Sequence, residues 1–277
     1  GGTVQLLGDR VGLAGQASVI ASGQGGGGTV LIGGDFHGGN DQVQNASRTF
    51  VGKDVTISAD AIGAGSGGKV VIWSDDTTRF YGTINARGGA VAGDGGAVEV
   101  SGKKNLLFDG AVFTTAPHGS AGSLLLDPAD IVIADAASSA DDAQLNADIP
   151  TAGDAAGVVN FSDSAGTTFT ISSAKLESTA STNNIDLQST NSIVINDLVT
   201  NVATSKTLTL NSPNSVKFQT GAGGFSMATD NKIKLTAAGA SLLIDAKAGT
   251  GTGNVTVGAL ETKGSTGSIT LKGVTTN

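Results

Sequence analysis

Gly1-Gly2-Thr3-Val4-Gln5-Leu6 opens the chain and returns four more times, and that return decides the fold. The copies are Gly27-Gly28-Thr29-Val30-Leu31-Ile32, Gly67-Gly68-Lys69-Val70-Val71-Ile72, Gly95-Gly96-Ala97-Val98-Glu99-Val100 and a looser Ala121-Gly122-Ser123-Leu124-Leu125-Leu126. Their starts are 26, 40, 28 and 26 residues apart. Self-similarity at such a period is the signature of a solenoid. Two aligned columns are wholly aliphatic: Val4, Val30, Val70, Val98, Leu124, and Leu6, Ile32, Ile72, Val100, Leu126. Strand side chains alternate, so both columns share one face, and that face is the core. The intervening Gln5, Leu31, Val71, Glu99 and Leu125 are mixed, as an outer face tolerates. A strand recurring in one direction once per coil builds a parallel sheet, and coiling buries its apolar face without helices. The expected class is all-β, a parallel β-helix.

Composition agrees with a narrow core. The chain has 277 residues with 43 Gly, well above the usual share of about 7%. Aromatics are 4% against 39% apolar residues, which suits a core of Val, Ile, Leu and Ala. No Gly-X-Y period occurs, so collagen is excluded. Aligned aliphatic columns argue against disorder. A net charge of −8 and a pI near 4.6 argue against nucleic acid and against anionic membrane surfaces. No apolar run is long enough to insert in a membrane. There is no Cys, which removes thiolate metal sites and a Cys nucleophile. With no signal peptide and a start in mid-repeat, the chain reads as part of something longer.

Each coil of residues 1–133 is expected to carry three short strands. In the third coil they are Lys69 to Trp73, Thr78 to Tyr81 and Thr83 to Ala86. In the fourth they are Ala97 to Val100, Asn105 to Phe108 and Ala111 to Thr114. Gly82 and Gly110 sit at one corner, for positive φ or close backbone approach. Asp9, Asp35, Asp75 and Asp127 follow the first strand as turn formers. The surplus of the second interval, residues 34–49, is expected as a loop thrown out from the shaft. Residues 134–182 read as an irregular, decorated region, with a short helix near 172–181 capped by Ser. Coils resume over 183–277, rich in Ser, Thr and Asn, as part of one continuous solenoid. There Ile185, Leu208, Ile233 and Val255 are expected to start equivalent strands, and Ile193, Val216 and Leu242 the next face. Asn184, Asn191, Asn214, Asn231 and Asn254 precede strands, at left-handed corners or in ladders.

Several runs resemble the large exoproteins of the filamentous haemagglutinin family, exported by two-partner secretion. They are Gly67-Gly68-Lys69-Val70-Val71-Ile72-Trp73-Ser74-Asp75, Thr78-Arg79-Phe80-Tyr81-Gly82-Thr83-Ile84 with Ala86-Arg87-Gly88-Gly89, Gly93-Asp94-Gly95-Gly96-Ala97-Val98-Glu99-Val100-Ser101-Gly102, and Leu124-Leu125-Leu126-Asp127-Pro128. The likeness is good over about residues 1–130 and loose beyond. It implies a right-handed parallel β-helix, secreted or on the bacterial cell surface, and an outer-membrane transporter as partner during secretion. The family's N-terminal secretion domain is not recognisable, so the resemblance is to the shaft. No binding residues carry over from it.

The chemistry-bearing residues are sparse. Asp35, His37 and Asp41 in one Gly-rich loop suggest a metal or sugar site, but a plain surface loop weighs about nine to one against it. His118 reads as a turn residue. Gly93-Asp94-Gly95-Gly96 is reminiscent of calcium-binding nonapeptide coils but does not repeat in tandem. Asp75-Asp76 and Asp141-Asp142 are adjacent, which in a strand sends them to opposite faces. Arg79 and Arg87 flank one coil without a matched acid. Gly25 to Gly28 lacks the Lys-Ser/Thr of a phosphate loop. No residue is therefore assigned to catalysis, a cofactor or a metal, and no enzyme activity is expected. Trp73, Val71 and Leu31 form an outward apolar strip, for a partner or, more readily, for the insertion folding back. Glu99→Lys on that face is expected to change stability by less than about 0.5 kcal/mol.

The function expected is that of a structural or adhesive shaft for surface display, adhesion or filament formation. The alternative is a carbohydrate-active β-helix enzyme, a polysaccharide lyase or hydrolase. Expected partners are a host-cell, bacterial or carbohydrate receptor. The chain's own copies are a further expected partner, end to end or in a filament, because both ends leave strand edges uncovered.

Overall fold

The aliphatic columns stack as a β-solenoid of about eight turns. A computed structural model describes residues 1–134, 169–196, 198, 206–247, 253–264 and 266–273. The longest sheet has nine strands, all parallel, one per coil: Thr3–Leu6, Thr29–Ile32, Lys69–Ser74, Ala97–Gly102, Ser123–Leu126, Asn184–Ser189, Ser215–Thr220, Ser241–Asp245 and Ile269–Lys272. Its register follows one column from Val4 through Val30, Val70, Val98, Leu124, Ile185, Val216 and Leu242 to Ile269. From Val30 to Leu242 these residues are buried. The core is thus a continuous stack of like side chains, each covered by its equivalent one rung away.

Two further faces close the coil. The second stacks Arg10–Leu13, Arg48–Val51, Thr77–Phe80 and Asn105–Phe108, with Phe80 and Phe108 ring over ring at 5.6 Å. Thr49 and Thr78 also point inward here, where their hydroxyls donate to the carbonyls of Trp73 at 2.6 Å and Ser101 at 2.7 Å. A buried hydroxyl is tolerated when it is bonded in this way. The third face stacks Ser18–Ile20, Thr56–Ser58, Thr83–Asn85 and Ala111–Phe113.

Glycine pairs turn the third face into the first. The second glycine of each pair donates across the corner: Gly28 to Ala21 (2.8 Å), Gly68 to Ala59 and Gly96 to Ala86 (2.7 Å each), as does Gly122 of the looser Ala121-Gly122 copy to Thr114 (2.7 Å). These glycines have no positive φ. They are required by proximity, since a Cβ on Gly96 would lie 2.1 Å from the carbonyl oxygen of Gly68. Gly110 follows the same logic, because its Cβ would fall 2.0 Å from the Phe80 ring.

The fourth-to-fifth coil junction is built differently. After Asp130–Ala134, strand Phe169–Ser172 runs parallel beneath it, pairing Ile133 with Ile171, and packs beside Asn105–Phe108 without joining that ladder. A helix, Ser173–Ala180, follows. The Ser172 hydroxyl caps it by accepting the Lys175 N–H at 3.1 Å. The helix buries Leu176, Thr179 and Ala180. It stands on the third face, with Lys175 Nζ donating to the Asp109 carbonyl below and Glu177 accepting the Thr209 N–H above. Among the described residues, only the longest sheet carries a strand ladder through this level, by the pairing of Val98 with Leu124.

The coils beyond the helix differ from the sequence expectation. Ile185 belongs to the long sheet, Val255 to the second face, and only Leu208 and Ile233 are stacked equivalents, continued by Leu260. Ile193 aligns with Ile131 and Phe225 rather than with Val216 and Leu242. Three faces recurring at one period give interchangeable aliphatic spacings, so spacing alone does not assign a strand to its face. The asparagines also act otherwise than expected. None has positive φ; instead the side chains of Asn184 and Asn231 stand in for backbone across coils. Asn184 accepts from the Asn214 and Ser215 N–H groups and donates to the Ala121 carbonyl. Asp141-Asp142 lies outside the described residues.

Candidate functional site

The insertion after Ile32 is not thrown out from the shaft. It folds back over the outer face of the long sheet, because that face offers Leu31, Val71 and Trp73. These three are buried, with Val43 of the insertion packed on them, and Trp73 is 3% exposed. Leaving such side chains in water costs about 1.5–3 kcal/mol each, so folding back is the favoured outcome. Gly38 lies against the indole: a Cβ there would be 2.5 Å from Trp73 Cε2. The indole N–H donates to Asp75 Oδ1 at 3.1 Å, and Asn45 Nδ2 donates to the Gly38 carbonyl at 2.9 Å.

The tip of the insertion is a single 3-10 turn, Phe36–Gly38. Asp35 begins it, accepting from the Phe36 N–H, from Asn40 Nδ2 and from Lys69 Nζ at 2.6 Å. The Asn40 bond first, and the Lys69 bond next, hold the Asp35 carboxyl down at about 2. His37 has φ 53°, the only positive φ at a non-glycine among the described residues. Such a backbone persists where surrounding contacts hold it. Here the His37 N–H points at both oxygens of Glu99, at 3.2 Å each. Its ring Nδ1 donates to Asp127 Oδ2 at 2.9 Å.

Glu99 and Asp127 come from successive rungs and both bond His37, while Asp186 on the next rung acts on its imidazole through charge alone. Glu99 is 1% exposed, whereas Asp186 shares its charge with Lys217 at 3.5 Å. Burial, opposed by His37, pushes the Glu99 carboxyl up to about 7. Asp186 is raised by burial against the pull of Lys217. His37 is raised chiefly by its bond to Asp127.

Of the loop residues singled out in the sequence, Asp35 and His37 are both engaged, on different partners, and the exposed Asp41 takes no part in these contacts. Among the described residues, no group of three His, Asp or Glu has the arrangement of a metal site. His118 is exposed in its turn, and Asp94 accepts the Ser120 N–H at 2.8 Å. Arg87 does have a matched acid: it pairs with Asp60 through two bonds, at 3.0 and 3.2 Å. Asp76 takes Arg48 and Lys104 from the coils on either side. Asp35, Asp75 and Asp127, expected as turn formers, are all anchors of the insertion. Their shared offset was the available signal for this role.

Glu99 departs further from the expectation. It does occupy the outer face, but that face is covered there. Glu99→Lys would bury a cation and leave the His37 N–H without an acceptor. Its expected cost is about 2 kcal/mol or more, read as a lowered urea midpoint.

No protein-family model matches the chain, and no curated protein matches it. Among the described residues, no helix is long and apolar enough to cross a membrane.

Proposed function

We propose that this chain is a stretch of shaft from a secreted bacterial surface exoprotein of the filamentous haemagglutinin kind, serving display, adhesion or filament formation. The observation that carries this reading is the use of charge. The ion pairs Arg87–Asp60, Arg48–Asp76–Lys104, Lys217–Asp186 and Lys272–Asp245 each join neighbouring coils. Charges paired along the stack hold one rung to the next and leave little for a reacting substrate. Electron microscopy of the protein from its native source tests the proposal. Rods or fibres at the cell surface are expected, and a uniform population of free compact particles would overturn it.

The competing reading is a carbohydrate-active enzyme, and the His37, Glu99 and Asp127 cluster is the observation in its favour. A carboxyl raised to about 7 suits a general acid. Yet the backbone of His37 itself occupies the Glu99 oxygens, and the insertion covers the group. We expect no oligosaccharide release from common polysaccharides. Release that is abolished by Glu99→Gln would establish the enzyme instead.

A further inference from the structure

We propose that the insertion over residues 33–47 is a proton-held clasp: its tip is held on Glu99 and Asp127 while His37 is charged, and it loosens there when His37 is neutral, so that Trp73 beneath it opens to solvent more often.

The argument begins with which contacts depend on charge. The near end of the clasp is fastened by the bond from Lys69 to Asp35, whose carboxyl is held down at about 2, and by apolar burial under Val43. The far end depends on His37. Facing it are Glu99 from strand Ala97–Gly102, Asp127 just after Ser123–Leu126, and Asp186 from Asn184–Ser189. Lys217, from the next rung, balances Asp186 alone. With His37 charged and Glu99 protonated, the tip is balanced against Asp127. With both protons gone, a carboxylate that is 1% exposed stands beside a second one and a neutral ring. Like charges at low exposure repel strongly. The left-handed backbone of His37 then has less to hold it.

The sign follows from proton counting. Glu99, Asp186 and His37 are all raised above their ordinary 4.5, 3.8 and 6.5. The closed site therefore keeps protons that the open one releases, and closure weakens as pH rises from about 4.5 through the neutral range. Asp35 acts oppositely: its contribution is present above 3.8 and is lost as pH falls toward 2. Closure is firmest in mildly acidic solution, between these two limits.

The chain carries its own reporter, since Trp73 is its single tryptophan and lies beneath the clasp. The experiment uses the full chain between pH 6 and 9. It reads acrylamide quenching of Trp73 together with hydrogen-exchange protection of the His37 and Ala46 amides, corrected for intrinsic rates. The Ala46 amide donates to the Gly33 carbonyl at the clasp's base. Protection is expected to fall by up to about tenfold per pH unit while one extra proton is held, with quenching rising and far-ultraviolet dichroism unchanged. His37→Asn keeps a residue that tolerates the left-handed backbone but cannot be charged, and it should remove the share of the pH dependence that His37 carries, leaving a shallower one. Glu99→Gln, which cannot become a buried carboxylate, should likewise make the pH dependence shallower. Protection of the wild type that is flat from pH 6 to 9, the same pH dependence in His37→Asn, or loss of dichroism in step with the quenching would each overturn the proposal.

Discussion

Ile72→Asp is expected to lower the free energy of unfolding by about 4–5 kcal/mol, among the largest effects of any single change in this chain. Ile72 is fully buried, with Ile32 on one rung and Val100 on the next. A carboxylate there has aliphatic neighbours above and below and no donor to meet it. The substitution also removes buried methyl groups, which alone costs about 2–5 kcal/mol when the residue is cut to Ala. Gln5→Asp gives the comparison, because Gln5 is exposed in the first rung of the same sheet, in the outward register. Equal losses in urea titration for the two would mean that the inward and outward columns have been exchanged.

Gly96→Ala is expected to cost about 3 kcal/mol or more, although it adds a single methyl group. The new Cβ would stand 2.1 Å from the Gly68 carbonyl oxygen and 2.9 Å from the Ala86 Cβ. The first is backbone and the second a Cβ fixed to it, so neither can swing aside. Coil spacing is set by the ladder, so relief would require opening the corner and losing the Gly96 to Ala86 hydrogen bond. Gly2→Ala is the matched control. It occupies the same place in the first copy, and its Cβ would meet nothing within 4 Å. The pair separates close approach from helix or strand propensity, since both changes are chemically identical. A Gly96→Ala melting temperature equal to that of Gly2→Ala would remove the stacking explanation.

The core was legible because a solenoid writes its packing into columns. Val70 and Ile72 needed only their counterparts in the next copy to be placed on the inside. The three strands of the third and fourth coils, near Lys69, Thr77 and Thr83 and near Ala97, Asn105 and Ala111, were readable for the same reason. Beyond Asn184 the copies lose their glycine pairs, and with them the mark that tells the first face from the other two. Ile185, Leu208 and Val255 were therefore aligned by spacing alone and fell on three different faces.

The clasp was hidden by a different cause. Its contacts join residues 37, 99 and 127, which are distant along the chain and adjacent only once the rungs are stacked. Parity correctly put Glu99 on the outer face. It carried no information about what lay over that face. The apolar run of Leu31, Val71 and Trp73 was the one readable hint that something did.

The helix Ser173–Ala180 has a mechanical consequence. Hydrogen bonds in a β-solenoid run along its long axis, so a pull on the ends loads the rungs in series. Between most rungs of the first four coils, three ladders share that load. Between the fourth and fifth coils the second and third faces have no strand ladder among the described residues, and the pairing of Val98 with Leu124 bears the load. Among the described residues it is assisted by the bond from the Gly95 N–H to the Ser120 carbonyl and by side-chain ties such as Lys175 to Asp109 and Asn183 to Val112. A rod is as strong as its weakest joint, so under tension this chain should part there first, leaving two intact stiff segments on either side of one yielding seam.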